Sequence, residues 1–304
     1  MTENHEPDGI LVVNKNEGPT SHDIVNSVRK LYHTKKVGHT GTLDPMATGV
    51  LVVLVGRAAK AAEYLVSDEK RYRATLRLGI STVTEDITGT VIKTHDGTMP
   101  SSEEVITVCK SFLGKSEQIP PMYSAIKIGG KKLVDLARKG EEVERAARPI
   151  EIFSIDCTPT SETDYTLDVH CSSGTYIRTL CRDIGEKLGV GGTMASLCRT
   201  ETGGFSLSES MRADELSLLD ESELEARLIP TEALFSSLPA VCLPAFYEKL
   251  CRSGCEIYQK KIKTSFDIGT RVRICSEDGT FFALGEVCDY ENGTAIKSIK
   301  TFRL

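Results

Sequence analysis

The chain has 304 residues, of which 40% are hydrophobic and 26% are charged, and its formal net charge at pH 7 is −6. This length allows a large core and predicts one large domain followed by a small one. No apolar run is long enough to cross a bilayer, and the N-terminus lacks the basic and apolar regions of a secretory signal. We therefore expect a cytoplasmic protein without a membrane partner. The acidic net charge also argues against a surface that binds nucleic acid everywhere.

Hydrophobic periodicity and turn residues predict strands and helices that alternate irregularly, with hairpin-like strand pairs. This pattern favours a mixed α+β fold over a doubly wound one. Residues 50–55 are apolar on both faces, which is typical of a central strand. The elements predicted in the first part of the chain are strand 9–15, a helix capped by Thr20 or Ser21, strand 50–55, helix 58–66, strand 71–79, a strand near 90–93, a helix capped by Ser101 with Glu104, helix 132–139, strand 149–156, strand 164–171 and a helix from Thr175 closed by Gly189.

The last third of the chain has a different pattern. Residues 205–238 predict an acidic, helical connector. From residue 265, short alternating strands are separated by EDGT (277–280) and ENGT (291–294), and such Asp-Gly and Asn-Gly pairs are strong hairpin signals. We therefore predict two domains, residues 1–238 and residues 239–304, the second of which is a small β module.

The ten cysteines are scattered, and none forms a C-x-x-C pair. Cys251 and Cys255 are four residues apart, but no second pair or nearby histidine completes a zinc set. We therefore expect free thiols in a reducing compartment and no metal site.

The loop before strand 50–55 holds a lone carboxylate, Asp44, and an imidazole, His39. An Asp-Pro pair is a common turn, so Asp44 could have only a structural role. Three glycines in the loop favour a functional interpretation, because they let the backbone approach a bulky ligand: Gly38, Gly41 and Gly49. His39 could equally be an ordinary loop residue, and no second histidine is spaced to share a metal with it.

Arg178 is a candidate partner for Asp44. It lies in the first turn of a predicted helix, where the helix dipole disfavours a cation, so another interaction must favour it there. If the two side chains pair, the arginine lowers the pKa of Asp44 and keeps the carboxylate ionised and nucleophilic. The alternative is a surface arginine with no such role.

Tyr72 lies on strand 71–79 between Arg71 and Arg73. It could be an edge-strand tyrosine, or an aromatic plate for a nucleobase with flanking cations for the phosphates. Local basic clusters at 29–36, 70–77 and 131–140 fit either phosphate contacts or solvated faces.

Four blocks of the sequence together resemble, in this order, the signature blocks of the TruB family of tRNA pseudouridine-55 synthases. They are GHTGTLDPMATGVL, KRYRATLRLGISTVTEDITG, IPPMYSAIKIGGKKLVDLARKG and SSGTYIRTLCRDIG, and the likeness covers about residues 9–205. It implies a mixed, mainly antiparallel sheet of the pseudouridine synthase type with flanking helices. The C-terminal hairpins resemble the small, barrel-like PUA module that binds RNA in this family.

The resemblance implies that the protein isomerises a uridine in the TΨC arm of tRNA to pseudouridine, as a monomer and without cofactor or metal. Asp44 matches the catalytic aspartate, Tyr72 the tyrosine that stacks on the target base, and Arg178 the arginine paired with the carboxylate. Whether the carboxylate attacks C1′ of the ribose or acts through a glycal stays open. Flipping the base out of the loop costs about a few kcal/mol, and stacking on an aromatic ring returns about 1–3 kcal/mol.

Other substrate contacts also follow from the resemblance. His39 matches a histidine that holds the RNA loop open, and residues 120–148 match an insertion that grips the RNA arm. We expect further substrate contacts from Gly41, Thr42, Leu43, Lys15, Tyr176 and Leu197. The chain departs from the family pattern at Gly192-Thr193, Cys198 and Glu201.

Two other functions compete with this interpretation. A tRNA-binding folding factor would keep the basic segments without needing Asp44, Tyr72 and Arg178 together. A glycosidase-like hydrolase of a nucleoside would need a second carboxylate near Asp44, which the loop does not supply.

Overall fold

The computed structural model describes residues 6–64 and 69–302. Within these ranges the strands are β1 (Gly9–Lys15), β2 (Val37–His39), β3 (Thr48–Val55), β4 (Lys70–Leu78), β5 (Ile80–Thr82), β6 (Val91–Thr94), β7 (Gly114–Gln118), β8 (Lys127–Ile128), β9 (Lys131–Lys132), β10 (Arg148–Pro159), β11 (Asp164–Cys171), β12 (Gly192–Thr202), β13 (Phe205–Ser206), β14 (Met211–Arg212), β15 (Ala240–Cys242), β16 (Ile257–Tyr258), β17 (Arg271–Cys275), β18 (Phe281–Cys288) and β19 (Ala295–Thr301). The α-helices are α1 (Ser21–Leu31), α2 (Ser102–Lys110), α3 (Leu133–Ala137), α4 (Ile177–Lys187), α5 (Ala213–Leu216), α6 (Glu221–Ala226), α7 (Ala245–Arg252) and α8 (Gln259–Ile262). Shorter 3-10 helices are Gly56–Ala61, Leu207–Glu209 and Thr231–Phe235.

Ten strands of the described part of the chain form one mixed sheet. Its main order is β14-β1-β3-β12-β4-β11-β10-β7, with β2 paired to β3 and β13 paired to β12. The β1–β14 and β3–β12 pairs are parallel, and the other pairs are antiparallel. The predicted α+β class with a mainly antiparallel sheet is therefore confirmed.

Strand β3 lies inside the sheet and is apolar on both faces, as predicted. Residues on one face belong to the largest hydrophobic core, which also contains residues of helices α1, α2 and α4. The other face forms a smaller core that includes Phe205 and Ile229 from the connector. Because both faces of β3 are covered, the loop that enters it at Thr48 is attached to a rigid element.

The helix starts follow the predicted capping chemistry. Thr20 caps α1 in a capping box with Asp23, and Ser101 caps α2 with Glu104. Each side chain accepts a hydrogen bond from an otherwise unpaired backbone N–H of the first turn. Helix α4 begins at Ile177, later than the predicted start at Thr175, with Tyr176 at the N-cap.

The predicted helix 58–66 is wrong in type. The structure has a 3-10 helix at Gly56–Ala61, and residues 65–66 lie outside the described residues. Tertiary contacts override the helical pattern here, because Arg57 and Tyr64 donate hydrogen bonds to backbone carbonyls near the end of the chain, those of Phe302 and Ile299.

The connector 205–238 is helical only in part. It contains α5 and α6, but its β14 strand pairs with β1 and extends the main sheet. After it, β15 and β16–β19 form a second, five-stranded sheet among the described residues. The β17–β18 and β18–β19 pairs are antiparallel, as the two hairpin signals predicted.

An aromatic cluster joins the connector to the second sheet. The rings of Phe235, Phe281 and Phe302 have centroids 5.4–5.9 Å apart, and all three side chains are buried. Ala61, from the first half of the chain, packs in the same core. No helix in the described ranges is long and apolar enough to cross a membrane.

Candidate active site

A cleft with a cavity of about 250 Å³ lies where the loop before β3 meets β4, β12, the start of α4 and the insertion 120–148. It brings together eight of the ten predicted site residues. The residues that line it are Gly41, Thr42, Leu43, Asp44, Lys70, Tyr72, Ser124, Ala125, Gly174, Thr175, Tyr176, Ile177, Arg178, Leu197 and Arg199. Lys15 and His39 are outside this lining.

Asp44 and Arg178 form the predicted ion pair in this cleft. Arg178 Nε lies 3.0 Å from Asp44 Oδ2, and Arg178 Nη2 donates to Asp44 Oδ1 over 3.4 Å. The arginine side chain is 5% exposed and that of Asp44 is 35% exposed, so the carboxylate keeps an open side toward the cleft. Two contacts from a planar guanidinium restrict the orientation of the carboxylate as well as neutralising its charge.

Three further contacts hold the guanidinium of Arg178. Its Nη1 lies 3.7 Å from Asp86 Oδ2 and donates to the carbonyl of Thr84 over 3.2 Å. Its Nη2 donates to the carbonyl of Tyr123, in the insertion, over 2.8 Å. One buried cation thus links the loop of Asp44, the segment after β5 and the insertion.

The pKa of Asp44 is raised above its ordinary value, and this corrects the sequence-based expectation. Burial is the largest cause, and the nearby carboxylate of Asp86 adds to it, whereas Arg178 and Lys15 lower the pKa. Arg178 therefore acts in the predicted direction, but desolvation of the carboxylate outweighs it. The ionised form that a nucleophile needs is lost at a higher pH than in a free aspartate.

The loop around Asp44 is held by backbone hydrogen bonds. Ser21 at the start of α1 accepts from the N–H of Leu43 over 2.8 Å and donates to its carbonyl over 3.1 Å. Gly49 has a φ of +101°, and a Cβ there would lie 2.2 Å from the carbonyl oxygen of Arg199. Only glycine fits this left-handed position against β12, which explains one of the three loop glycines.

Lys15 is placed beneath the loop and is fully buried, so the structure does not support the expected direct substrate contact. Its Nζ donates to the carbonyls of Asn16 and Pro45 over 2.8 and 3.0 Å, which supports the residue that follows Asp44. Burial lowers the pKa of Lys15 to about 8, and Asp44 and Glu17 oppose that shift. Lys15 is therefore a positioning residue of the loop.

Because Lys15 is buried, its titration should make the protein more stable as the pH rises above about 8. Below about pH 8 Lys15 is charged in both the folded and the unfolded protein. Burial disfavours the charged ammonium in the folded protein, so it lowers the free energy of unfolding. As the pH rises from about 8 toward 10.5, the folded state is already neutral while the unfolded state still binds a proton, and this cost of up to about 3 kcal/mol is relieved.

The variant Lys15→Met tests this linkage. Urea unfolding at pH 7 and pH 10 should show that the free energy of unfolding of the wild type improves relative to that of the variant as the pH rises. The difference between the two proteins isolates Lys15 from buried thiols such as Cys181, whose pKa burial raises and which therefore also make stability depend on pH. A difference that is the same at both pH values would contradict the assignment.

Tyr72 lies on β4 with its side chain 9% exposed and at the edge of the cleft. Burial raises the pKa of its hydroxyl, so the ring is a neutral phenol near pH 7. Arg71 and Arg73 point to the opposite face of the strand, where they pair with Glu201 and Asp168 at 3.3 and 2.8 Å. The interpretation of these two arginines as phosphate ligands beside Tyr72 is therefore wrong, because strand side chains alternate.

The remaining predicted residues lie around the same cleft. Leu197 on β12 and Tyr176 at the N-cap of α4 both line it. His39 ends β2 and is half-buried, and burial, Arg199 and His22 lower its pKa, so the imidazole is neutral near pH 7.

Two of the departures from the family pattern have structural explanations. Thr193 is fully buried, and its hydroxyl oxygen lies 3.1 Å from that of Thr82. Its side chain therefore packs inside the protein and does not contact a ligand. Glu201 forms an ion pair with Arg71. Nothing in the structure explains Cys198.

Several side chains that support the site were not predicted from the sequence. Arg199 is 1% exposed and donates to the carbonyls of Val50 and Gly41 over 2.8 and 3.0 Å, so it ties the loop to β3 from inside the cleft. Gln118 is hydrogen bonded to the N–H and the carbonyl of Tyr176 and holds the start of α4. The one signal in the sequence that could have identified Arg199 is its position two residues after Leu197, which places both on the same face of a strand.

Comparison with known proteins shows which family has this arrangement. Residues 29–177 match the sequence model described as "TruB family pseudouridylate synthase (N terminal domain)", and residues 178–236 match "tRNA pseudouridylate synthase B C-terminal domain". The tRNA pseudouridine synthase B of Clostridium kluyveri is 42% identical, over 97% of this chain and 99% of that protein. The protein of the same name from Alkaliphilus oremlandii is 46% identical, over 82% of this chain and 83% of that protein.

Solved structures with the same fold include a Cbf5–Nop10–Gar1 complex. Its matching chain has a TM-score of 0.74 at 26% identity and covers 98% of this chain and 86% of its own length. A structure of an archaeal box H/ACA Nop10–Cbf5 complex has a TM-score of 0.70 at 23% identity, covering 99% of this chain and 88% of that chain, and shows the fold alone. The junction of the two sequence models falls at Arg178, and the predicted domain boundary at residue 238 stays a prediction.

Proposed function

The chain belongs to the TruB family of pseudouridylate synthases, and from this premise we propose that it is a tRNA pseudouridine synthase, an isomerase that converts one uridine of the TΨC arm to pseudouridine. The observation that carries the proposal is the Asp44–Arg178 ion pair in a cleft that Tyr72 also lines. A carboxylate with one open side and an aromatic ring nearby are what a flipped-out nucleotide requires.

The proposed reaction moves a base on its sugar without net change of atoms. The bond from C1′ to N1 of uracil breaks, the base turns and a bond from C1′ to C5 forms; the proton on C5 then leaves to solvent, and N1 takes up a proton. Asp44 acts on the ribose, either by attack on C1′ or by removal of a proton on the glycal route, and the two routes stay open. Tyr72 stacks on the extruded uracil, and Arg178 holds the carboxylate in position.

The insertion 120–148 is proposed to grip the RNA arm. Its β8–β9 hairpin and α3 surround a surface hollow lined by Lys127, Lys131, Lys132 and Lys139, and all four side chains are exposed. Such a group of ammonium ions gives local positive potential on a chain of net negative charge.

The C-terminal sheet is proposed as a PUA-like RNA-binding module, with residues 1–238 as the catalytic domain and the protein acting as a monomer. Its strands bury a core of their own around Val272, Phe282 and Ile296, which supports treating it as a module. We also propose that His39 helps to hold the RNA loop open at the rim of the site.

The activity is tested with tRNA that carries tritium at C5 of its uracils. The proposed function requires that the protein releases one equivalent of tritium to water and that the tRNA then contains pseudouridine at the TΨC arm. Binding without release would support a tRNA-binding folding factor instead, and free uracil as the product would support a hydrolase.

The lysines of the insertion provide a test of the RNA grip. Replacing Lys127, Lys131 and Lys132 with alanine should weaken tRNA binding and reduce the slope of log K against log salt by about 2–3, because each lost phosphate contact releases about one counterion fewer. Filter binding from 50 to 300 mM salt measures the slope. The rate at saturating tRNA should be little changed, since these residues do not line the cleft.

A matched triple variant separates the grip from total charge. Lys93, Lys110 and Lys115 are also exposed but line neither the cleft nor the hollow. If their replacement changes the salt slope as much as that of the insertion lysines, net charge and not the insertion is responsible, and the proposed grip is wrong.

A further inference from the structure

Ser124 has a buried hydroxyl without a partner on the wall of the cleft. Its side chain is 6% exposed, and its Oγ has no hydrogen bond in the described structure. Ser124 is one of the cleft-lining residues, together with its neighbour Ala125. A serine hydroxyl normally bonds to nearby backbone when it has no other partner, so its isolation here points to a ligand atom that completes the bond.

The backbone of Ser124 is fixed, so only rotation of the side chain can move its hydroxyl. Its N–H donates to the carbonyl of Met122 over 2.9 Å, and its carbonyl accepts from the N–H of Val134 over 3.1 Å. These bonds tie the entry of the insertion to the start of α3. The hydroxyl is therefore held at the cleft by the fold of the insertion itself.

Ser124 directly follows a residue that anchors Arg178 in the cleft. The preceding residue, Tyr123, accepts a hydrogen bond from Arg178 Nη2 over 2.8 Å, and the same nitrogen donates to Asp44 over 3.4 Å. Ser124 thus directly follows a residue whose carbonyl is bound by the same nitrogen, Arg178 Nη2, that binds the carboxylate of Asp44. Tyr72, which is proposed to stack on the base, lies on β4, a different element.

From this placement we infer that Ser124 binds the 2′-hydroxyl of the target ribose. The inference rests on the proposed function, in which Asp44 acts at C1′ or its neighbouring position. The 2′-hydroxyl is attached to the adjacent carbon, and two hydroxyl groups can each donate and accept, so the pair satisfies both. Ser124 would then contribute to the choice of RNA over DNA, because the 2′-hydroxyl is the group that distinguishes them.

The test compares two RNAs and two proteins at equilibrium. In an Asp44→Asn background, which prevents turnover, binding of a TΨC stem-loop is measured with either uridine or 2′-deoxyuridine at the target position. Adding Ser124→Ala should weaken binding of the uridine RNA about five- to tenfold and leave binding of the deoxyuridine RNA unchanged. Ser124→Cys, whose thiol is somewhat larger than the hydroxyl and is a poor donor, should give the same pattern.

A stability measurement excludes a structural explanation. Ser124→Ala removes an unpartnered buried hydroxyl, so its melting temperature should be equal to or higher than that of the parent. Thr231→Val is the matched control, because Thr231 also has a buried, unpartnered hydroxyl but lies outside the cleft. This control should not change binding of either RNA.

Two results would overturn the inference. Equal binding of the uridine RNA with and without Ser124→Ala would show that the hydroxyl does not contact substrate. Equal losses for the uridine and deoxyuridine RNAs would place the contact on another group. Either result leaves the proposed function intact if the wild type releases tritium from tRNA, and the absence of that release sinks the function itself.

Discussion

Replacing Asp44 with asparagine should abolish tritium release from tRNA, lowering the rate of turnover by at least about a thousandfold, while the dissociation constant for tRNA stays within about threefold. The amide has the same shape but is neither a nucleophile nor a base toward the sugar. The fold should survive, because Arg178 keeps Asp86 and the carbonyls of Thr84 and Tyr123 as partners. Single-turnover rates and filter binding measure the two quantities separately.

Asp96→Asn is the matched control, because Asp96 is exposed and lies outside the cleft. It makes the same change of charge and should leave the rate unaltered. If Asp44→Asn keeps more than about a tenth of the wild-type rate, Asp44 is not the group that acts on the sugar.

Arg178→Ala should lower the rate about a hundredfold to several thousandfold, and should weaken tRNA binding much less. Removing the arginine leaves the partly exposed carboxylate of Asp44 and the buried carboxylate of Asp86 without their cationic partner, which should also lower stability. The loss also removes the largest influence that lowers the pKa of Asp44, so that pKa rises further. The acid limb of the pH–rate profile should therefore move to higher pH, and part of the lost rate should return as the pH rises.

Single-turnover rates from pH 5 to pH 9 measure this shift. Arg182→Ala is a useful control, since Arg182 lies one turn further along α4 and pairs with the buried carboxylate of Glu85 but does not line the cleft. It should lower stability without moving the acid limb. Equal losses of rate and binding in Arg178→Ala, with no change in the pH profile, would contradict the role of the ion pair.

Local sequence patterns predicted the parts of the fold that are decided by local chemistry. The helix cap at Thr20 or Ser21, the capping box at Ser101, the apolar strand β3 and both C-terminal hairpins depend on residues a few positions apart. The pairing of Asp44 with Arg178 joins residues 134 positions apart. Charge alone made it one possibility among many, and the resemblance to a family selected it.

The errors concern burial, which is a sum over contacts from the whole chain. Lys15 was expected to face the substrate, but the sheet and the loop enclose it completely. The direction of the pKa shift at Asp44 was wrong because the amount of desolvation cannot be read from a loop sequence. Arg199 and Asp86 were missed for the same reason, since their partners come from distant strands and loops.

The ring cluster of Phe235, Phe281 and Phe302 has a consequence for how the chain comes apart. The three rings come from both sides of the predicted boundary at residue 238, and Ala61 completes their packing. Cutting the chain at residue 238 would expose a hydrophobic surface on each fragment and favour aggregation. The intact protein should therefore unfold in a single cooperative transition, in which residues 1–238 and residues 239–304 lose their structure together.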